Sequence, residues 1–330
     1  MRKIVLIVVA ISLAVFVPFG LQASQPRQLE FDYVFVIKDI PANISSLKVW
    51  VPYLPQKPYQ VIEDVAFPLK PAQITEDKKY NNRIIFYSFE SPKDPSITIN
   101  VRYKVKRYEY SANPVNAQAH AGVKNSGTED LLKYLKSDRL VAITPQIQEI
   151  SNALTKDKST VVEKARVIYD YVFDNVSYDK TIPGWGKGDV ERVCMVRAGN
   201  CTDFHSLFIA LCRAAGIPAK FVIGASIPKD KEEGEIKSYH CWAQFYDETS
   251  GWVPVDISEA WKHKEMRDYY FGSLGDDRLE FTEGRDIVLE PTQNEEPLNY
   301  FVFPYVEADG KVFTNVDASF HFKQKADERG

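Results

Sequence analysis

Hydrophobic and polar positions follow two different periods along the chain. From Leu29 to about Tyr110 they alternate with a period of two, and β-branched and aromatic residues are frequent, which is typical of strands. Clusters of Asn, Pro and Ser separate the strand-like segments. Strands are predicted at residues 31–37, 47–51, 83–87 and 97–105. This part of the chain therefore predicts a small antiparallel β-sandwich.

The pattern becomes helical after a segment with few large apolar residues. Residues 111–127 form this segment and are predicted to be a linker. A short helix is expected at 131–135, and a second helix begins at Thr144-Pro145. A third begins with Thr160 and Glu163, which have the spacing of a capping box. The sequence thus predicts a helical layer between two regions of strands.

A fourth helix carries the most informative residue, Cys201. Apolar residues at 207, 208, 211 and 214 form a helical stripe, and Gly216 is a typical residue to end it. Cys201 would then lie at the helix start, where unpaired N–H groups and the helix dipole favour the thiolate. We predict that Cys201 is a nucleophile and that its backbone N–H is one oxyanion donor. A buried structural thiol is the alternative.

Strands return after Gly216, and two of them carry a possible base and its partner. They are predicted at 219–223, 239–246 and 252–257, so His240 lies on the second and Asp256 on the third. Two adjacent antiparallel strands can bring these side chains together. His240 would then act as the general base, and Asp256 would fix the orientation of the imidazole.

Several of these segments resemble the core of the bacterial transglutaminase-like superfamily. The resemblance covers about residues 161–259 and rests on Gly199–Asp203, Arg213–Ala219, His240–Ala243 and Gly251–Asp256. It implies a papain-like fold with a Cys/His/Asp triad, and these roles carry over to Cys201, His240 and Asp256. The expected fold class is α+β, with a papain-like transglutaminase core between an antiparallel β-sandwich and a β-rich extension.

Five regions are expected along the chain. They are a signal peptide (1–23), a β-sandwich domain (28–110), a linker (111–127), a catalytic core (128–262) and a β-rich extension packed on the core (263–330). We predict no chemistry for the extension.

The resemblance leaves the reaction open between several alternatives. It implies an acyl transfer through a thioester, whose acceptor is water or an amine. We expect hydrolysis of an amide bond in a peptide, protein or cell-wall peptide, because the chain lacks the additional domains of animal crosslinking enzymes. Protein-glutamine crosslinking and a non-catalytic role in binding cell-envelope ligands are the alternatives. No cofactor is expected.

Other residues near the triad could take part in catalysis or in structure. His205 is four residues after Cys201 and is a rival base. Asp256 could instead cap a turn before Ser258. Trp185 and Trp242 could each donate an indole N–H to the oxyanion, or simply pack. The cysteine and histidine spacings do not favour zinc. At most one disulfide can form among the four cysteines if Cys201 stays free.

The N-terminus and the overall composition complete the prediction. Arg2 and Lys3 precede an apolar stretch at 4–19, which is shorter than the roughly 20 residues of a membrane-spanning helix. This favours a signal peptide cleaved near Ala23, export to the periplasm or beyond, and no membrane insertion afterwards. The chain is 45% hydrophobic with a formal charge of −4, which is typical of a globular protein. The sequence has no basic segment with interspersed aromatic residues, so nucleic acid is not predicted as a partner.

Overall fold

The chain has an α+β fold with mainly antiparallel sheets. A computed structural model describes residues 25–112, 131–236 and 238–325. The predicted signal peptide and most of the predicted linker lie outside these residues. Within the described part of the chain, no helix has both the length and the apolar character needed to cross a membrane.

Eighteen strands are assigned within the described residues. They are β1 (Arg27–Ile37), β2 (Ser46–Pro52), β3 (Gln60–Ala66), β4 (Gln73–Glu76), β5 (Arg83–Glu90), β6 (Ile97–Arg107), β7 (Tyr110–Ser111), β8 (Ser177–Tyr178), β9 (Ala198–Gly199), β10 (Ala219–Ser226), β11 (Glu233–Ile236), β12 (His240–Asp247), β13 (Gly251–Val255), β14 (Ser273–Leu274), β15 (Arg278–Glu283), β16 (Tyr305–Ala308), β17 (Lys311–Val312) and β18 (Val316–Gln324). The α-helices of the same residues are α1 (Pro145–Thr155), α2 (Val161–Asn175), α3 (Val190–Val196), α4 (Cys201–Ala214) and α5 (Ile257–Lys262). Short 3₁₀ helices occupy Leu131–Leu135 and Lys264–Met266.

Two five-stranded sheets form the β-sandwich. Their strand orders are β11-β18-β1-β6-β3 and β17-β16-β2-β5-β4. The long strand β1 pairs antiparallel with β6 on one edge and with β18 on the other. Alternate residues of β1 and β6 are buried, as expected for strands with one face on a core. Buried apolar residues of both sheets belong to one continuous hydrophobic core.

Strands from distant parts of the sequence complete the sandwich. Strands β16, β17 and β18 come from the last part of the chain, and β11 comes from the segment between β10 and β12. The sequence pattern assigned the region from 263 onward to an extension on the core. Of its strands, β15 joins the core sheet, whereas β16 and β18 cover the otherwise unpaired edges of β2 and β1. The exact domain boundaries stay a prediction.

A further, four-stranded sheet packs against the helices. Its order is β13-β12-β10-β15, and all its pairings are antiparallel. Helix α4 contacts β10 and β12 on one side and α1, α2, α3 and α5 on the others. Residues 201–213 of this helix are all buried. A helix enclosed in this way holds its first residue in a fixed position relative to the sheet.

Local sequence signals account for several helix ends. Thr144 and Thr160 are the N-caps of α1 and α2, and Thr160 forms the predicted capping box with Glu163. Gly216, just beyond α4, has φ of +76°, a conformation that glycine adopts readily. The predicted strand at 252–257 is too long, because β13 ends at Val255 and α5 begins at Ile257.

Candidate active site

Cys201 is the first residue of helix α4, as the sequence predicted. Asn200 is the N-cap, and its side-chain oxygen accepts a 2.9 Å hydrogen bond from the backbone N–H of Thr202. Asp203 completes the capping box by accepting a hydrogen bond from the backbone N–H of Asn200 at 2.9 Å. These bonds fix the backbone on both sides of Cys201. The thiol is consequently held at the positive end of the helix.

Asp203 also anchors the loop that carries Trp185. Its two carboxylate oxygens accept hydrogen bonds from the backbone N–H groups of Gly186 at 2.7 Å and Gly188 at 3.1 Å. Gly186 has φ of +81° and lies close to the Asn200 side chain. The loop therefore lies beside the start of α4. Trp185 is 40% exposed on it.

His240 and Asp256 are in direct contact. The distance from His240 Nε2 to Asp256 Oδ2 is 2.7 Å, and both side chains are almost completely buried. Strands β12 and β13 pair antiparallel, and Asp256 directly follows β13. Since Nε2 is bonded to the carboxylate, Nδ1 is the ring nitrogen left for the hydrogen bond between His240 and Cys201. The fold thus brings together the three residues predicted from the sequence.

The Asp256 carboxylate also begins helix α5. Its Oδ1 atom accepts hydrogen bonds from the Glu259 backbone N–H and the Ser258 hydroxyl, both at 3.2 Å. Asp256 is therefore also a cap: one oxygen accepts the hydrogen bonds that begin the helix, while the other contacts His240. The hydrogen bonds to both oxygens fix the orientation of the carboxylate.

Arg278 is a contact of Asp256 that the sequence did not reveal. Its Nε and Nη2 atoms donate to Asp256 Oδ2 at 3.1 and 3.0 Å, and the side chain is 1% exposed. Arg278 begins β15, in the extension for which we had predicted no chemistry. It follows an acidic pair, Asp276-Asp277, which on its own indicates only a solvated turn. No sequence signal could have assigned it to the triad.

The charges at the site favour a thiolate and an imidazolium. A hydrogen bond from Cys241 contributes most to keeping the pKa of Cys201 well below its usual value; burial opposes this, and His240 adds a hydrogen bond and a positive charge. Burial also acts against a charged His240, but the adjacent Asp256 carboxylate outweighs it and raises the pKa of His240 to about 9. These shifts favour a Cys201 thiolate paired with a His240 imidazolium at pH values up to about 9.

His205 is unsuited to be the base, although it is close to Cys201 in sequence. Its Nε2 atom accepts a 3.0 Å hydrogen bond from the backbone N–H of Ile257, so this nitrogen carries no proton. The ring also hydrogen-bonds the backbone of Cys201. Burial lowers the pKa of His205 to about 4. This neutral ring links the start of α4 to the start of α5.

All four cysteines are free thiols. Cys241 lies next to the site, with its Sγ atom 3.7 Å from the Thr202 hydroxyl and 3.8 Å from His205 Nδ1. Burial raises the pKa of Cys241 well above its usual value, so it is a thiol that can donate to the Cys201 thiolate. Sequence analysis gave Cys241 no role.

The two tryptophans named as possible oxyanion donors differ in accessibility. Trp242 is fully buried on the strand of His240, and the two ring centroids are 6.4 Å apart. Its Nε1 atom has no hydrogen-bond partner within the described part of the chain. Trp185 is partly exposed and directly precedes Gly186, which lies close to the Asn200 side chain. The arrangement favours Trp185 as the residue that a substrate can reach.

The segment that contains this site is similar to a known family. Residues 148–257 match the sequence model of the transglutaminase-like superfamily, and this segment contains Cys201, His240 and Asp256. In this segment the chain is similar to the core of the transglutaminase-like superfamily. This similarity supports cysteine-dependent catalysis in general terms and leaves the reaction undefined.

Three similar proteins extend the comparison. An uncharacterised protein of Haemophilus influenzae is 26% identical in an alignment 310 residues long, which covers 83% of this chain and 84% of that protein. YebA of Bacillus subtilis, also uncharacterised, is 28% identical in an alignment 142 residues long, which covers 38% of this chain and 19% of YebA. A crystal structure from Cytophaga hutchinsonii, of a protein provisionally described as a cysteine protease, aligns with a TM-score of 0.57 at 15% identity. That alignment covers 92% of this chain and 99% of the other, and it shows a shared fold.

The ion pair predicts an unusual pH dependence for alkylation of Cys201. We expect iodoacetamide to label Cys201 rapidly well below the usual thiol pKa of about 8.5, because the thiolate is already present. In His240→Ala the thiolate loses a hydrogen bond and a positive charge while remaining buried, so labelling should move to higher pH. Peptide mass spectrometry after a timed reaction measures both rates.

Cys194 is an internal control in the same digest. It is half-buried, and burial raises its pKa, so its labelling should increase only at alkaline pH in both proteins. Equal pH profiles for Cys201 and Cys194 in the wild-type protein would contradict the ion pair.

Proposed function

We propose that this protein is an exported thiol hydrolase that cleaves an amide bond in a peptide, protein or cell-wall peptide through a thioester on Cys201. The observation that supports it most directly is the buried contact between His240 and Asp256 beside a helix-terminal cysteine. A non-catalytic binding protein has no need for a thiolate, a protonatable partner and a carboxylate in this order.

In the first step the Cys201 thiolate attacks the carbonyl carbon of the amide. The His240 imidazolium gives its proton to the departing amine, and a thioester remains on Cys201. The Asp256 carboxylate keeps Nε2 bonded, so that Nδ1 stays directed at the reacting atoms. The pKa of about 9 for His240 keeps this proton available at neutral pH.

In the second step an acceptor releases the acyl group. Neutral His240 removes a proton from the acceptor, which attacks the thioester and restores the Cys201 thiolate. Water is the acceptor we propose, because it is always present, whereas an amine competes only where a second site binds it. Transfer to an amine, which would make the protein a crosslinking enzyme, differs only in this step.

The negative oxygen formed in both steps requires hydrogen-bond donors. The backbone N–H of Cys201, at the first turn of α4, is one donor. We assign the second to Trp185, because its loop is fixed beside Asn200 by Asp203 and its side chain is accessible.

A turnover experiment separates hydrolysis, transfer and mere binding. With a library of glutamine-, γ-glutamyl- and peptide-amide substrates, we expect release of acid and amine that Cys201→Ala lowers at least about 1,000-fold. Addition of a small primary amine should divert little of the product. Conversion mainly to the new amide would identify a transferase, and turnover unchanged by Cys201→Ala would refute the mechanism. Product mass spectrometry identifies both outcomes.

The assignment of the second oxyanion donor predicts different effects for the two tryptophans. Trp185→Phe keeps an aromatic ring but removes the indole N–H, so kcat should fall by about 100- to 1,000-fold with little change in KM. Trp242→Phe should have a much smaller effect, because its indole is enclosed beside His240. Steady-state kinetics of both variants provide the comparison, and the reverse order would reassign the donor to Trp242.

Export is the remaining part of the proposal. The apolar stretch at 4–19 precedes the first strand, which begins at Arg27. In a bacterial host we expect the mature protein to begin close after Ala23 and to leave the cytoplasm. The double substitution Val8→Asp and Val9→Asp, which breaks the apolar stretch, should leave the chain uncleaved. N-terminal sequencing of fractionated cells tests this, and an intact N-terminus in the wild-type protein would contradict export.

A further inference from the structure

The buried guanidinium of Arg278 and the imidazole of His240 share one acceptor atom. Oδ2 of Asp256 accepts hydrogen bonds from Arg278 Nε, from Arg278 Nη2 and from His240 Nε2. One oxygen therefore serves both the histidine and the arginine. Any shift of the guanidinium changes the geometry and the charge of the atom that orients His240.

Each of the three nitrogens of this guanidinium donates to at least one acceptor. Besides Asp256, Nη2 lies 3.1 Å from Glu259 Oε2, while Nη1 donates to Ser226 Oγ at 2.9 Å and to the Asp277 carboxylate. Such bonding of a planar, buried cation leaves it one orientation. Arg278 thus joins the end of β13, the first turn of α5 and the paired strands β10 and β15.

The position of Arg278 depends on a close approach of β15 to β10. Ser226 and Arg278 are opposite each other in this pair, and the register shifts between Ile223 and Gly224. A Cβ atom at Gly224 would lie 1.8 Å from the Leu279 carbonyl oxygen, so only glycine permits this approach. Arg278 itself lies beyond residues 148–257, the segment that matches the superfamily.

A buried arginine could merely balance the charge of buried carboxylates. Arg213 on α4 is such a case: its side chain is also 1% exposed, and its Nη1 atom lies 2.7 Å from Asp138 Oδ2. Arg213 is 12 residues from Cys201 on the same helix, which is about 18 Å along the helix axis. Arg278 differs because its carboxylate partner is the one that His240 uses.

We propose that Arg278 is a positioning residue of this triad, which fixes the Asp256 carboxylate against His240 and limits how strongly that carboxylate holds the imidazolium proton. The proposal rests on the hydrolase function inferred above. It places an essential part of the site outside the transglutaminase-like segment, in the C-terminal part of the chain.

The surrounding charges give the direction of the effect. Burial and Asp256 act most strongly on His240, and the positive charge of Arg278 lowers the pKa of the imidazolium. The other charged or titratable groups around the carboxylate and the guanidinium are Cys201, His205, Cys241, Glu259, Asp277, Tyr169, Tyr178 and Tyr270. Removal of the arginine charge leaves Asp256, Glu259 and Asp277 without their common cation. His240 should then retain its proton to higher pH.

Two substitutions separate charge from geometry. In Arg278→Gln the midpoint of the His240 titration should rise from about 9 by about one unit, and the alkaline limb of kcat/KM should move with it. In Arg278→Lys the charge remains but the planar fork is lost. Its titration should stay near that of the wild type, while kcat falls by about 10- to 100-fold with KM almost unchanged.

The measurements are NMR titration of the histidine rings, with His240→Ala for assignment, and the pH profile of amide hydrolysis. Arg213→Gln is the matched control, since it removes a buried arginine–aspartate pair of similar exposure. It should lower stability without moving the His240 midpoint.

Each outcome bears on a different claim. A folded Arg278→Gln protein with the wild-type midpoint would overturn the inference, and so would an Arg278→Lys protein with full kcat, even if the glutamine variant fails to fold. A shifted midpoint in Arg278→Gln together with reduced kcat in Arg278→Lys would support it. If the wild-type protein hydrolyses no amide, the hydrolase proposal fails, yet the NMR titration still tests the role of Arg278.

Discussion

The buried carboxylate of Asp256 is the interaction on which the site depends. A carboxylate removed from water is stable only when its oxygens are fully bonded, and here five hydrogen bonds from four residues serve that purpose. These bonds are also structural, because they begin α5, receive Arg278 from β15 and orient His240. The charge that the fold must compensate is therefore the charge that directs the proposed chemistry.

A second carboxylate has the same double function at the nucleophile. Asp203 accepts backbone hydrogen bonds from Asn200, Gly186 and Gly188, so it both caps α4 and holds the neighbouring loop. Arg285 supports that loop from the other side, donating to the Lys187 carbonyl and to Ser206 on α4. Two arginines from the last part of the chain, Arg278 and Arg285, thus contact the two halves of the site. This is a physical reason why residues beyond the superfamily match belong to the same folded unit.

The sequence predicted what depends on local or periodic signals. The helix start at Cys201, the capping box of α2 and the pairing of the strand that carries His240 with the strand that ends just before Asp256 all follow from short-range patterns. The strand prediction at 252–257 was wrong at its end, because the Asp256 side chain accepts the hydrogen bond that begins a helix. Propensity alone cannot anticipate this, since Val255 and Ile257 both favour strands.

The contacts that the sequence could not predict are those between segments far apart in the chain. Arg278 is 22 residues from Asp256. Strand β18 pairs with β1, although almost 300 residues separate the starts of the two strands. The sequence around Arg278, a basic residue after two acidic ones, does not indicate that its partner is Asp256. The alternating pattern of β18 likewise does not indicate that its partner is β1. Only the three-dimensional fold establishes that the guanidinium is desolvated and that its carboxylate is already shared with a histidine. Desolvation strengthens each of these charge interactions. This is the physical basis for the proposed influence on His240 of a residue that resembles an ordinary surface arginine in the sequence.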